Sequence, residues 1–149
     1  MAHEQELEIY RQFRTAEDKY SYFLLAAVGA AIGFALNQTN GKALSYSQIP
    51  LGIGLFFWSL SFYCGCKHLN YVFLNVYVNF KLFQVQKGEH PDVGNHPQAV
   101  QTASEGILNA MESNFKWSSR FASWQFRLFL LGSTSYIAWH IWEMWLRVT

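Results

Sequence analysis

His140 is the side chain in this sequence best suited to chemistry, because an imidazole titrates near neutral pH and can relay or gate protons. It lies in an apolar run, with Ser133 and Ser135 before it and Glu143 one turn after it. Ionisable groups inside a membrane are costly and therefore mark candidate functional sites. Because His140 is near the end of the run and can reach interfacial water, we favour a hydrogen-bonded packing or interface role.

The segment Cys64-Gly65-Cys66-Lys67-His68 contains residue types that bind zinc, since thiolates and imidazoles are its usual ligands. On a continuous helix, positions two apart point about 200° away from each other. Cys64 can therefore join His68, but Cys66 cannot join them. Two ligands do not close a structural site, and we predict no metal.

Signatures of the common enzyme classes are missing from the sequence, which has no GxSxG, HExxH, GxxxxGK or GxGxxG. Paired carboxylates occur only in the polar N-terminal arm, where a solvated helix face explains them. The net charge of +1 gives no reason to expect nucleic acid as a partner. We predict a protein without catalytic residues and without a cofactor.

Three apolar runs must position these side chains, and each is long enough or nearly long enough to cross a bilayer. A hydrocarbon core of about 30 Å needs roughly 20 helical residues. The third run fits directly, whereas the first two need tilt or a thin bilayer. The runs are Tyr22 to Leu36, Ile49 to Cys66 and Leu128 to Leu146.

The sequence predicts an all-α membrane protein with three transmembrane helices and a cytoplasmic helical hairpin that extends the second and third spans. No Gly or Pro interrupts residues 69–85, and no breaker separates the helical pattern after Gln98 from the third span. The predicted segments are a cytoplasmic N-terminal helix at 1–19, transmembrane helices at 20–37, 49–66 and 126–147, an outer loop at 38–48, and a hairpin at 67–125 with its turn at 88–97.

Lys and Arg residues are distributed unevenly between the two sides of the predicted spans. Three precede the first span and six lie between the second and third, whereas only Lys42 and Arg147 fall on the other side. Cytoplasmic segments carry an excess of these residues. The sequence therefore predicts a cytoplasmic N-terminus and an external C-terminus.

The best helix-packing face in the sequence lies in the first span. Gly29 and Gly33 form a GxxxG pattern, which Ala26 and Ala30 extend. Small residues at this spacing let helix backbones approach closely in lipid. Two interpretations stay open, namely self-association into a homo-oligomer and packing against another span of the same chain.

A polar stripe runs along the apolar helix that follows the second span. The predicted faces of this helix outside the stripe are too hydrophobic to meet water alone, so a partner helix or another subunit must cover them. The obvious partner is the helical segment from Gln98 to Trp124. The stripe consists of His68, Asn75, Asn79 and Gln86.

Aromatic and cationic residues alternate at the expected inner interface of the third span. Trp117, Arg120, Trp124 and Arg127 combine rings that favour the interface with basic groups that suit anionic headgroups. The pattern predicts anchoring to the lipid bilayer.

The segment Ala16-Glu17-Asp18-Lys19-Tyr20-Ser21-Tyr22-Phe23-Leu24-Leu25-Ala26-Ala27 resembles the acid–lysine head that opens the first span in the transmembrane effectors of Pycsar antiphage systems. The order of the spans is similar, and the run from Asn114-Phe115-Lys116-Trp117 to Leu131 resembles the basic run before that family's last span. The resemblance implies a bacterial inner-membrane protein that assembles and impairs the membrane on sensing a cyclic nucleotide or another infection signal.

Two classes of function stay open. In the first, the chain is an oligomeric effector or channel-like assembly. Its interior is lined by Ser133, Ser135 and His140, and its cytoplasmic hairpin is the trigger. In the second, it is an accessory or immunity subunit whose hairpin docks a protein partner. Asn75 and Asn79, together with the face around Glu105 and Glu112, fix the register of that contact. A phage holin is a third alternative, disfavoured because a long cytoplasmic hairpin has little purpose in a lysis pore.

Overall fold

The fold is all-helical in a computed structural model, which has no strand among the residues that it describes. These are residues 2–41, 45–91, 93–94 and 96–146, without the side chains of residues 2–4, 6–7 and 10. The prediction of an all-α protein is therefore confirmed. Helix α1 covers Ala2–Thr39, a short 3-10 helix covers Tyr46–Gln48, α2 covers Ile49–Gln86 and α3 covers Pro97–Leu146.

Some of the predicted segments extend beyond the described residues. Residues 42–44 of the predicted outer loop lie outside them, as do Asp92 and Asn95 of the predicted turn. The same holds for Arg147, the last residue of the predicted third span.

A glycine in the left-handed region ends α2. Gly88 has a φ of 71°, and its amide donates to the carbonyl of Val85 at 3.0 Å while the amide of Glu89 donates to that of Gln84 at 2.9 Å. This pair of hydrogen bonds is a Schellman motif, which satisfies carbonyl groups that the last helical turn leaves unpaired. The long apolar helix therefore ends at the first glycine after Gly65.

Two described helical segments, Arg11–Thr39 and Tyr46–Gln86, are long and apolar enough to cross a membrane. The most apolar stretch of 18 residues in each has a mean hydropathy of 1.5. The third predicted span is not one of them, because its tryptophans together with His140 and Glu143 lower its hydropathy. A crossing by α3 stays a prediction.

The helices form two compact units. The first contains Met1–Gly65 and Ser123–Thr149, so it includes α1 and parts of α2 and α3, and the second contains Cys66–Ala122. The core of the first unit is small and draws on all three helices. It consists of Val28, Ala35, Leu51, Trp58 and Trp139.

In the first unit, α2 and α3 approach each other through two glycines. A Cβ atom built on Gly54 would lie 3.1 Å from the carbonyl oxygen of Gly132, and one built on Gly132 would lie 3.0 Å from that of Gly54. One face of the Gly132 backbone also meets the ring of Trp58, whose Nε1 donates to the carbonyl of Phe129 at 3.3 Å. Small residues thus permit backbone contact, as is usual in membrane helix pairs.

In the second unit, α2 packs antiparallel to α3. The rings of Tyr71 and Phe121 are stacked with centroids 5.8 Å apart. Leu82 and Val85 are 8% and 1% exposed. The inner face of α2 in this unit consists of His68, Tyr71, Asn75, Val78, Leu82 and Val85, which are all buried or half-buried.

Candidate functional site

A buried polar contact joins α2 and α3 in the second unit. His68 is 3% exposed, and its Nδ1 lies 2.9 Å from the hydroxyl oxygen of Ser118 and 3.1 Å from the carbonyl oxygen of the same residue. Depending on its tautomer, the ring nitrogen donates to the carbonyl or accepts from the hydroxyl. His68 therefore contributes to helix packing, and sequence analysis missed its partner Ser118.

The cysteine-rich segment offers no complete metal site. Within the described ranges, no group of three or more His, Cys, Asp or Glu side chains is placed to hold a metal ion. Cys64 is half-buried, Cys66 is exposed, and both are free thiols. The Nδ1 atom of His68 is buried in its contact with Ser118, which is a contact between helices and not a metal site.

The predicted polar stripe on α2 is buried only in part. His68 and Asn75 lie on its inner face, whereas Asn79 and Gln86 are exposed. The Oδ1 atom of Asn75 is buried and has no hydrogen-bond partner among the described residues. Leu82, on one flank of the stripe, is buried, whereas Asn79, on the other flank, is exposed, and Gln86 is the last residue of α2.

Two of the predicted intramembrane polar residues contact the start of the α2 region. The hydroxyl of Ser135 donates to the carbonyl of Pro50 at 2.6 Å. Glu143 accepts from the hydroxyl of Ser47 at 3.3 Å. These hydrogen bonds hold α3 beside the 3-10 helix and the first turn of α2.

The other two predicted intramembrane polar residues do not share that contact. The hydroxyl of Ser133 donates at 2.9 Å to the carbonyl of Phe129, one turn back in α3. His140 is exposed, and its ring lies 6.3 Å from the ring of Trp139. The structure therefore does not bring Ser135 and His140 onto one face of α3.

The sequence analysis did not identify a second buried polar residue, Gln125. It is 1% exposed, and its backbone carbonyl accepts from the hydroxyl of Ser61 at 2.7 Å. Its side-chain Nε2 is buried without a hydrogen-bond partner in the described part of the chain. A Cβ on Gly65 would lie 2.5 Å from this Nε2 and 2.8 Å from Leu25, so α1, α2 and α3 meet closely here.

Most of the small-residue face of α1 points away from the other two helices. Ala26, Ala30 and Gly33 are exposed, and no described atom lies within 4 Å of the place a Cβ on Gly33 would occupy. Gly29 is half-buried, with the Phe62 ring 4.0 Å from its Cβ position. The GxxxG pattern is therefore largely unused within the chain.

The predicted anchoring residues form two pairs on α3. In the second unit, the guanidinium of Arg120 lies 5.3 Å from the ring centre of Trp117. In the first unit, that of Arg127 lies 5.9 Å from Trp124. All four side chains are exposed. Such cation–π pairs present a ring and a positive charge together.

The outer face of α3 in the second unit carries a charged pair. Lys116 Nζ lies 2.8 Å from Glu112, one turn earlier. Its hydrogen bond and positive charge lower the pKa of the Glu112 carboxyl below its usual value. Both side chains are exposed, so this pair adds little to stability.

No family model, no curated protein and no solved structure matches this chain.

Proposed function

We propose that this chain is an inner-membrane protein without catalytic activity that self-associates through its spans. It acts as a membrane effector or channel-like assembly of the kind found in phage defence. In this proposal three spans place the N-terminus in the cytoplasm and the C-terminus outside. The C-terminal part of α2 and the N-terminal part of α3 form a cytoplasmic hairpin. This hairpin receives the trigger.

The exposed small-residue face of α1 carries the proposal. Ala26, Ala30 and Gly33 lie at helical spacing inside the segment Arg11–Thr39, which is apolar enough to cross a membrane. Packing within the chain uses the opposite side of α1, where Leu24 and Val28 are buried. Of the two interpretations of the GxxxG pattern, self-association is therefore the better supported.

The exposed apolar surface supports a membrane location. Large hydrophobic side chains are exposed on all three helices, including Phe34 on α1, Phe56 on α2 and Trp142 on α3. A water-soluble protein rarely leaves so much contiguous apolar surface uncovered. Lipid would cover these side chains at no cost, which also explains why the core of the first unit is small.

The charged side chains on the outer face of α3 support the proposed trigger. Glu105, Glu112 and Lys116 are exposed on it, and they can contact a ligand or a protein in the cytoplasm. The polar groups on the inner side, such as His68, are used in contacts between the helices.

The test of self-association is the mass of the protein in mild detergent, measured for the wild type, for Gly33→Leu and for Gly52→Leu. Both glycines are exposed and have no described atom within 4 Å of their Cβ positions. A leucine at Gly33 should block the close approach of two α1 helices and release monomers. The matched change at Gly52 should leave the oligomer intact.

The test of effector activity is growth arrest of the expressing cells, together with dye leakage from vesicles that contain the protein. We expect both effects for the wild type and for Gly52→Leu, and their loss in Gly33→Leu. An oligomer that causes neither effect would contradict the effector proposal and favour the accessory or immunity subunit. A monomeric wild type would contradict self-association.

A further inference from the structure

The outer face of α2 in the second unit is apolar and uncovered. Phe73 is 77% exposed, and the four other members of the face are between 55% and 58% exposed. None of the five carries a charge. The other four are Val76, Tyr77, Phe80 and Phe83.

The neighbouring helix of the same unit differs from α2. The outer face of α3 carries Gln101, Glu105, Glu112 and Lys116 beside two exposed apolar side chains, Leu108 and Phe115, which are 51% and 60% exposed. Water solvates a face that mixes charged and apolar side chains, whereas it does not favour a row of exposed phenylalanines. Within this unit, therefore, the outer face of α2 has the greater need of a covering partner.

The spacing of the apolar residues identifies the kind of cover. Leu69, Phe73, Val76, Phe80 and Phe83 follow one another at intervals of four, three, four and three residues. Over two heptads this alternation matches the apolar positions of a coiled coil, which pack against another helix. The inner face of α2, which includes His68 and Leu82, lies nearly opposite and already packs against α3.

We propose that this outer seam of α2, from Leu69 to Phe83, pairs with the same seam of a second copy of the chain. The inference rests on the proposed insertion into a bilayer. Copies inserted by the same route share one orientation, so two α2 helices would lie parallel and each seam residue would meet its own counterpart. The seam residues carry no charge, and the Lys81 ammonium, which lies 5.8 Å from the centre of the Tyr77 ring, is at the border of the face.

The area of the seam is sufficient for such a contact. Aromatic side chains bury about 150–250 Å² each, so the observed exposures leave roughly 500 Å² of apolar surface per copy. Burying all of this surface on both copies would remove about 1,000 Å² in total, which is the upper bound for the contact and the lower limit for a specific interface. The contact would add to the one proposed for α1.

Disulfide crosslinking of the full-length protein in native membranes tests the pairing. Single cysteines are placed at Phe73, Val76, Phe80 and Phe83 in a chain whose Cys64 and Cys66 are replaced by serine. We expect crosslinked dimers at these four positions and at least tenfold less at the intervening Leu74 and Lys81. Equal yields at all positions, or no dimer at any, would overturn the proposal, the latter meaning that lipid or another protein covers the face.

A second measurement separates this contact from the one on α1. The double variant Phe73→Ser with Phe80→Ser should lower the association constant in detergent at least tenfold, whereas Leu108→Ser, an exposed leucine of the same unit, should not change it. If Gly33→Leu abolishes association and the double variant does not, the α1 contact stands and the α2 pairing is wrong. If only the double variant reduces association, the reverse holds.

Discussion

Adding one methyl group at Gly132 should destabilise the chain, because α2 and α3 touch there through their backbones. In Gly132→Ala the new Cβ would overlap the ring of Trp58 and lie 3.0 Å from the carbonyl oxygen of Gly54. The indole is held by the hydrogen bond from its Nε1 to the carbonyl of Phe129 and by packing on Tyr136, with ring centres 5.6 Å apart. The ring cannot move aside without losing these contacts.

The size of the effect follows from three contributions. Overpacking of a tight contact costs about 1–3 kcal/mol, and loss of the indole hydrogen bond costs about 1 kcal/mol. Alanine favours a helix over glycine by up to about 1 kcal/mol, which acts in the opposite direction. The variant should therefore lose about 1–3 kcal/mol of unfolding free energy.

Gly52→Ala is the matched control, since Gly52 is exposed and its Cβ position is open. The helix-propensity contribution is common to both variants, so their unfolding free energies should differ by about 2–4 kcal/mol. The assay is reversible unfolding in mixed micelles of a mild detergent and dodecyl sulfate, followed by circular dichroism. Equal stabilities for the two variants would refute the close approach.

A double-mutant cycle locates the cause of the loss. In a Trp58→Leu background the obstructing ring is absent, so Gly132→Ala should cost at least about 1 kcal/mol less than in the wild type. If the two changes are additive, the strain does not arise from the Trp58 ring.

Three further predictions concern polar side chains. His68→Ala should destabilise the protein by about 2–3 kcal/mol in the same unfolding assay, because it leaves a cavity and an unpaired buried hydroxyl, while the exposed Asn79→Ala should stay within about 0.5 kcal/mol of the wild type. Gln125→Met should be neutral or stabilising by up to about 1–2 kcal/mol, because it removes a buried Nε2 group that has no hydrogen-bond partner among the described residues, and a clear loss of stability would show that this group is satisfied. In an NMR titration, Glu112 should have a pKa below its usual value of 4.5, and Lys116→Met should return it there. Since the folded pKa is the lower one, the contribution of this pair is present above about pH 4.5 and is lost as the pH falls through the lowered pKa.

The helical character of the fold could be predicted from the sequence because breakers are rare. No Gly or Pro interrupts residues 69–85, and Gly88 stands where α2 ends. Apolar length likewise indicated two helices that can cross a membrane. The third run is harder, since tryptophans suit an interface yet lower the hydropathy on which such a prediction depends.

The division of the polar stripe could not be predicted, because it depends on which side of α2 meets α3. His68 and Asn79 look equivalent on an isolated helix that is apolar elsewhere. The burial of Leu82 and Val85 decides the matter, and it leaves Asn79 outside. Only tertiary packing supplies that information.

The partners of the buried residues were also out of reach of the sequence analysis. Helix α3 contains many polar residues, and nothing in the local sequence distinguishes Ser118 and Gln125 from the others. A signal was present on α2, where Gly54, Ser61 and His68 follow at intervals of seven residues. Small or polar residues at heptad spacing in an apolar helix indicate positions that face another helix.

The contacts at Gly54 and Ser61 give α2 and α3 a single alignment. A heptad pattern by itself tolerates slippage by seven residues, since apolar positions then meet apolar positions again. Here Gly54 faces Gly132 and Ser61 faces Gln125. A shift of one heptad in one direction would place the Gln125 side chain against the backbone of Gly54. A shift in the other direction would place Ser61 opposite Gly132, which has no side chain. Because successive contact pairs differ in side-chain size, α2 and α3 can pack closely in only one register.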